Sequence, residues 1–302
     1  MEAMIGLKRG TVRLCPHQAE WETEARRTMA ELKSVLGDAA VEMAHVGSTS
    51  VPTIMAKPII DIAVAVESFE AVLAYEEQMQ RAGYYYRPSE MLATQLLFAS
   101  GPFYEGCGEE QTHFIHVVKV GSVEWRDYLN FRNYLCKKPD AAREYESIKK
   151  SLAERVPVDE GRRHYLEGKK DFIAYTLRKA LVDSYLGKTV RIEIDRPIGY
   201  VHEKKKYTLV YPINYGYIPG VLGGDGEELD VYLLGVDEAV SEYTARVIGI
   251  AHRENDVEDK LIAAPVDCSF SLSEMVQAIS FQEKYYRGYV ENERGEILAR
   301  EE

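Results

Sequence analysis

The sequence predicts two domains: an α/β (α+β) half with helices flanking a mixed sheet, then a smaller half built from short strands. Three observations carry this. Residues 18–36 place Trp21, Ala25, Met29, Leu32 and Leu36 near one face at helical spacing. Ile59–Val66 is an apolar run broken only by Asp61, the pattern of a central strand covered on both sides. Beyond Gly187 helical periodicity gives way to short strands, which sets domains of 1–186 and 187–302.

Taken in order, Gly37 ends the first helix and Val41–Val46 leads as a strand into the Gly47-Ser48 turn. After Ile59–Val66 a helix is expected over 70–82, stopped by Gly83. Thr112–Val120 alternates like a strand. Helices follow at 123–135 and 141–155, with Asp140 as N-cap of the second. A last helical stretch runs from Asp159 to Leu186, burying Tyr165, Leu166, Phe172, Ile173, Leu177 and Leu181. The short strands are 190–194, 207–211, 231–234 and 244–251. No Ser/Gly/Pro-rich linker separates the halves, so a stiff joint is expected.

A chain of 302 residues suffices for two cores. No window approaches the roughly 18 apolar residues of a membrane span, and the N-terminus lacks a signal-peptide core, so a cytoplasmic protein is expected. Cys15, Cys107, Cys136 and Cys268 are widely spaced and read as free thiols. Net charge is −12, and residues 187–302 carry 13 Lys and Arg against 22 Asp and Glu. Such an acidic surface argues against nucleic-acid binding and suits divalent cations.

Two stretches carry chemistry. The first is His45-Val46-Gly47-Ser48-Thr49-Ser50 followed by Lys57-Pro58-Ile59-Ile60-Asp61. An unpaired carboxylate at Asp61, inside an apolar strand, would cost several kcal/mol, so a metal, Lys57 or backbone donors must compensate it. The Gly47-Ser48 turn can bring backbone N–H groups and a hydroxyl to a phosphate. The second stretch is Tyr211–Tyr217 followed by Asp225, Glu227 and Asp230, three acids within six residues. Acids this crowded repel one another unless a cation neutralises them, and their spacing is not that of an EF-hand. An exposed acidic hairpin is the alternative.

Residues 45–66, together with Thr112–Val118 and Glu124–Arg132, resemble the GrpB family (UPF0157), a branch of the nucleotidyltransferase superfamily. Tyr145, Lys149, Tyr165 and Lys169 also match it. The likeness covers about residues 8–182 and implies a nucleotidyltransferase-like fold, with Asp61 as a catalytic, metal-binding residue and Gly47, Ser48 and Lys57 at phosphate or nucleotide. The superfamily's second carboxylate would stand at position 63, which here is Ala63. Glu67 lies about 20 Å further along the strand, too far to share an ion. His113 and His116 read more readily as satisfied core histidines. Lys149 and Lys169 stand evenly between solvated charges and phosphate contacts. Trp125 and Tyr84-Tyr85-Tyr86 read as packing residues.

Tyr211–Tyr217, the acid cluster and 247–261 resemble soluble inorganic pyrophosphatases over about residues 190–290. This implies a small β-barrel with a C-terminal helix and Mg2+ as cofactor. Asp225, Asp230 and Glu258 would bind the metal, with one of Glu254, Asn255 or Asp256 beside them. Glu227 would take the proton of the attacking water, Lys260 and Tyr285 would contact phosphate, and Tyr215 would join the metal and water network. Glu193 fits a glutamate on the first barrel strand. Tyr286 replaces the family's lysine after the phosphate-contacting tyrosine, with Arg287 beside it. The basic hairpin is shortened to 199–206, leaving Lys204-Lys205-Lys206 as the expected nearby positive charge.

Together the halves imply a magnesium-dependent phosphate-transfer protein whose ligand is a nucleotide, pyrophosphate or both. A hydrolase of an organic diphosphate and a non-catalytic nucleotide- or phosphate-binding regulator stay open as alternatives.

Overall fold

The computed structural model describes residues 4–8, 10–88, 94–101, 110–155, 161–204 and 207–300. It divides into two compact units, Met1–Leu177 and Arg178–Glu302, the division falling within the Lys170–Asp183 helix. Cys107, Lys205, Lys206 and the side chain of Lys204 lie outside the described residues.

The first unit holds a five-stranded mixed sheet in the order Glu42–Val46, Ile60–Val66, His113–Lys119, Gln95–Ser100, Tyr84–Tyr86. Only Ile60–Val66 and His113–Lys119 run parallel, with Asp61 opposite Phe114 and Ala63 opposite His116. Strand alternation sends Ile60, Ile62, Val64 and Val66 to one face, where they meet Trp21, Ala25, Leu32 and Leu36 of the Glu20–Leu36 helix. Ala63 and Ala65 point to the other face and pack with Trp125 of the Val123–Lys137 helix. The Ile60–Val66 strand is therefore covered on both sides.

Three local expectations change. The helix expected over 70–82 is two short ones, Phe69–Leu73 and Glu76–Arg81. The helix expected from residue 141 starts at Pro139, a residue suited to the first turn because its missing N–H is not needed there. Asp140 therefore lies inside that turn, bonded to Arg143, rather than capping it. The stretch 159–186 is divided into Gly161–Glu167 and Lys170–Asp183.

In the second unit, strands Lys260–Ala264, Glu228–Leu233, Asn214–Leu222, Thr189–Arg196 and Glu242–Arg253 pair in that order. Glu242–Arg253 also pairs with Lys260–Ala264, which closes a five-stranded barrel. Val190, Ile192, Val231, Leu233, Val247, Ile250, Leu261 and Ala263 fill its interior. The helix Leu272–Glu283 follows, opened by a capping box between Ser271 and Glu274. The aromatic stretch at 211–217 is not a free turn: from Asn214 it is strand. Gly216 permits this, because a Cβ there would collide with the Glu193 backbone on the adjacent strand.

Candidate functional site

In the first unit, Gly47 turns at φ +70 directly over Asp61, and a Cβ on it would sit 2.5 Å from Asp61 Oδ2. Thr49 and His45 brace the turn through a 3.0 Å side-chain bond, and the Ser50 hydroxyl donates to the Gly47 carbonyl at 2.6 Å. Burial lowers the His45 pKa to about 4, so this brace is neutral at pH 7. A cavity of about 470 Å³ opens beside Asp61, with Gly47, Ser48, Lys57, His116, Tyr165 and Lys169 on its walls.

Asp61 Oδ1 lies 3.1 Å from His116 Nε2, His116 Nδ1 lies 2.9 Å from the Tyr128 hydroxyl, and Tyr128 donates to Gln95 at 3.0 Å. The two histidines therefore differ. His113 is buried against Thr28 and Glu24, a satisfied core residue, whereas His116 faces the cavity and orients the one carboxylate there. Sequence reasoning missed Tyr128 and Gln95, which lie on separate elements with no spacing signal between them.

In the second unit, Asp230 is the third residue of the Glu228–Leu233 strand and Lys260 opens the strand beside it. The Lys260 ammonium pairs with Asp230 and donates to Glu258 at 2.7 Å. Burial raises the Glu258 pKa, Lys260 lowers it, and the negative charges of Asp230 and Asp225 raise it again, leaving it above the ordinary carboxylate range. Gly223 lies against this carboxylate, since a Cβ there would be 2.8 Å from Glu258 Oε1. The Tyr215 hydroxyl is buried, and burial together with Asp230 pushes its pKa well up.

Arg196 completes the cluster. Its guanidinium lies 4.9 Å from the Tyr215 ring centre and donates to the Tyr211 hydroxyl at 3.0 Å. Its neighbour Asp195 has a raised pKa, from burial first and from Asp230. Sequence reasoning placed the positive charge at 204–206. Strand alternation from Val190, Ile192 and Ile194 would not have found Arg196, because a β-bulge between Ile194 and Arg196 turns Arg196 to the other face, against Tyr215.

Other expected residues stand apart. Glu227 is exposed, and its backbone N–H is bonded to Asp225 rather than to anything in the cluster. Tyr285 is 51% exposed, beside Lys284. Asp256 is held by Arg253, Asn255 accepts from the Arg287 backbone, and Glu193 accepts from Tyr217 at 3.2 Å. Tyr286 stacks on Arg253, 3.6 Å from ring centre to guanidinium carbon.

Among the described residues, no three His, Cys, Asp or Glu side chains form a group that could hold a metal ion as it stands. Lys260 lies between Asp230 and Glu258, and Asp225 is exposed. The donors nonetheless fit a hard cation: all are oxygens, Glu258 Oε1 is buried with no hydrogen-bond partner among the described residues, and the buried Tyr215 hydroxyl interacts with Asp230.

Residues 11–179, more than half of the chain, match the GrpB protein family. The chain belongs to this family. Residues 180–295 match the inorganic pyrophosphatase family, so a GrpB domain is fused here to a pyrophosphatase-like domain. The glutamate-rich protein GrpB of Alkalihalophilus pseudofirmus is 35% identical over 171 residues, 56% of this chain and 96% of that one. The crystal structure of GrpB from Enterococcus faecalis is 30% identical, covers 56% of this chain and 96% of its own, and has a TM-score of 0.48. The inorganic pyrophosphatase of Ehrlichia chaffeensis is 21% identical, covers 36% of this chain and 88% of its own, and has a TM-score of 0.28. No described helix is long and apolar enough to cross a membrane.

Proposed function

We propose that the pyrophosphatase-like domain is a magnesium-dependent phosphohydrolase and that the GrpB domain binds a nucleotide or phosphate ligand. The observation that carries the first part is the pairing of Lys260 with both Asp230 and Glu258 above a buried Tyr215, with Glu258 Oε1 unpartnered among the described residues. Asp225, Asp230 and Glu258 are the residues that would hold Mg2+. Bound there, the ion would make a water more acidic and offset phosphate charge. Lys260 and Arg196 bring fixed positive charge to the same cluster for a phosphate to bind against. Glu227 has the chemistry of a proton acceptor and lies exposed just ahead of the Glu228–Leu233 strand that carries Asp230.

Phosphate release from pyrophosphate with Mg2+ tests this reading. Asp230→Asn is expected to lower the rate by about 10²-fold or more, since it removes a charge that no neighbour replaces. Absence of release in both proteins, with pyrophosphate and with nucleoside diphosphates, overturns the hydrolase reading. Turnover of the organic diphosphates alone selects that substrate class instead.

For the GrpB domain, binding without transfer is favoured by one observation. Position 63, where a second metal-binding carboxylate is expected, is a fully buried alanine packed with Trp125.

A further inference from the structure

Among the described residues lining the Asp61 cavity, one is a carboxylate, Asp61 itself, and its Oδ1 is engaged by His116. The cavity's positive charge is more plentiful. Lys57 Nζ lies 5.1 Å and Lys169 Nζ 4.6 Å from the centre of the Tyr165 ring, and both line the cavity. Lys149 lies behind that wall, 1% exposed, with its ammonium 4.7 Å from the centre of the Tyr145 ring and bonded to the Met55 carbonyl. Tyr145 lines the cavity and is hydrogen-bonded to Ser48. Burial and then the nearby Lys169 push the Lys149 pKa down to about 7, with Lys150 and Lys57 acting the same way and Glu146 opposing them. Two lysines on the wall and a third behind it repel one another, and an anion entering the cavity relieves that repulsion.

The remaining walls are apolar and aromatic, among them Ile59, Leu97, Phe114, Phe131 and Ile173. A volume of about 470 Å³ is that of a small-molecule site. Divalent metal has little to hold it here. Asp61 is the only carboxylate among the described residues that line it, Glu124 and Asp127 belong to an adjoining pocket that shares Gln95 and Tyr128, and the position two residues on from Asp61 packs with Trp125.

We infer that the GrpB cavity takes a nucleoside monophosphate without a divalent ion, Lys57, Lys149 and Lys169 balancing the phosphate dianion while the aromatic walls receive the base. Asp61, oriented by His116 and Tyr128, accepts a hydrogen bond from a ligand hydroxyl or amino group. This rests on the reading of the GrpB domain as nucleotide- or phosphate-binding and adds to it the ligand class and the independence from metal.

Calorimetric titration of the full chain with AMP, GMP, CMP and UMP, each in EDTA and in excess Mg2+, tests it. At least one is expected to bind in EDTA with an affinity that Mg2+ does not raise. Lys57→Met and Lys169→Met, both at the cavity wall and outside helices, are each expected to weaken that binding about tenfold, a change of about 1.4 kcal/mol. Binding that appears only with Mg2+ overturns the inference but leaves the nucleotide-binding reading standing. Binding untouched by both substitutions places the ligand elsewhere and overturns it too. No binding of any of these, or of inorganic phosphate, under either condition overturns the inference and the reading together.

Discussion

Lys149 sits in an environment far from what a lysine prefers. A lysine deprotonates more easily when buried, so its folded pKa of about 7 lies below the 10.5 of the unfolded chain. Between these values the unfolded state binds a proton that the folded state does not, so this group makes stability rise with pH. Unfolding of the wild type followed from pH 7 to 9 is expected to show this rise, at most about 1.4 kcal/mol per pH unit. Lys149→Met, which keeps the apolar stem, is expected to flatten it. An unchanged pH profile in that variant would show the amine to be solvated. No sequence pattern predicts this environment, because Lys149 is placed by Tyr145 and Met55, and only its family match marked it out.

Among elements, the long helices and the Ile60–Val66 strand were legible because one periodicity dominates each. Gln95–Ser100 and Asn214–Leu222 were not. The first has half-buried residues on both faces and so lacks alternation. The second contains Gly216, Pro219 and Gly220, which read as turn residues but serve a strand whose backbone must pass close to Glu193. The end of the Leu272–Glu283 helix was also unreadable. Glu283 is fully buried, accepts from Tyr232 at 2.7 Å and from Arg253 at 2.6 Å, and pairs with Arg300. Burial alone would raise its pKa, but Arg253, Tyr232 and Arg300 hold it below the ordinary carboxylate value. The stability from this group is therefore present above the unfolded pKa and is lost as pH falls through the folded one. Glu283→Gln leaves two arginines without their counter-charge and is expected to cost about 3–5 kcal/mol in denaturant unfolding of this unit. A loss below about 1 kcal/mol would mean that solvent already screens the cluster.

Across the whole molecule, the two proposed sites would meet anionic ligands by different means: lysine side chains in the first unit, carboxylates with an exchangeable ion in the second. The fold class was legible throughout, whereas the candidate sites were legible only where acids or a Gly-Ser turn cluster in sequence. Arg196, Tyr128 and Gln95 come from elsewhere in the chain, and pairing alone brings them in. Both cores are built from apolar side chains. EDTA is therefore expected to abolish phosphate release while leaving the far-UV circular dichroism and thermal midpoint unchanged, and added Mg2+ to restore release. A chelator-induced loss of secondary structure would show instead that an ion holds the barrel together.

The closing strand of the barrel has a consequence for how the protein is made. Lys260 opens the stave that joins Glu228–Leu233 on one side and Glu242–Arg253 on the other. Until that stave is laid, Asp230 has its strand but not its partner ammonium. A nascent chain that has emerged only as far as residue 259 thus has four of the five staves, and laying the last one both seals the wall and gives Asp230 its counter-charge.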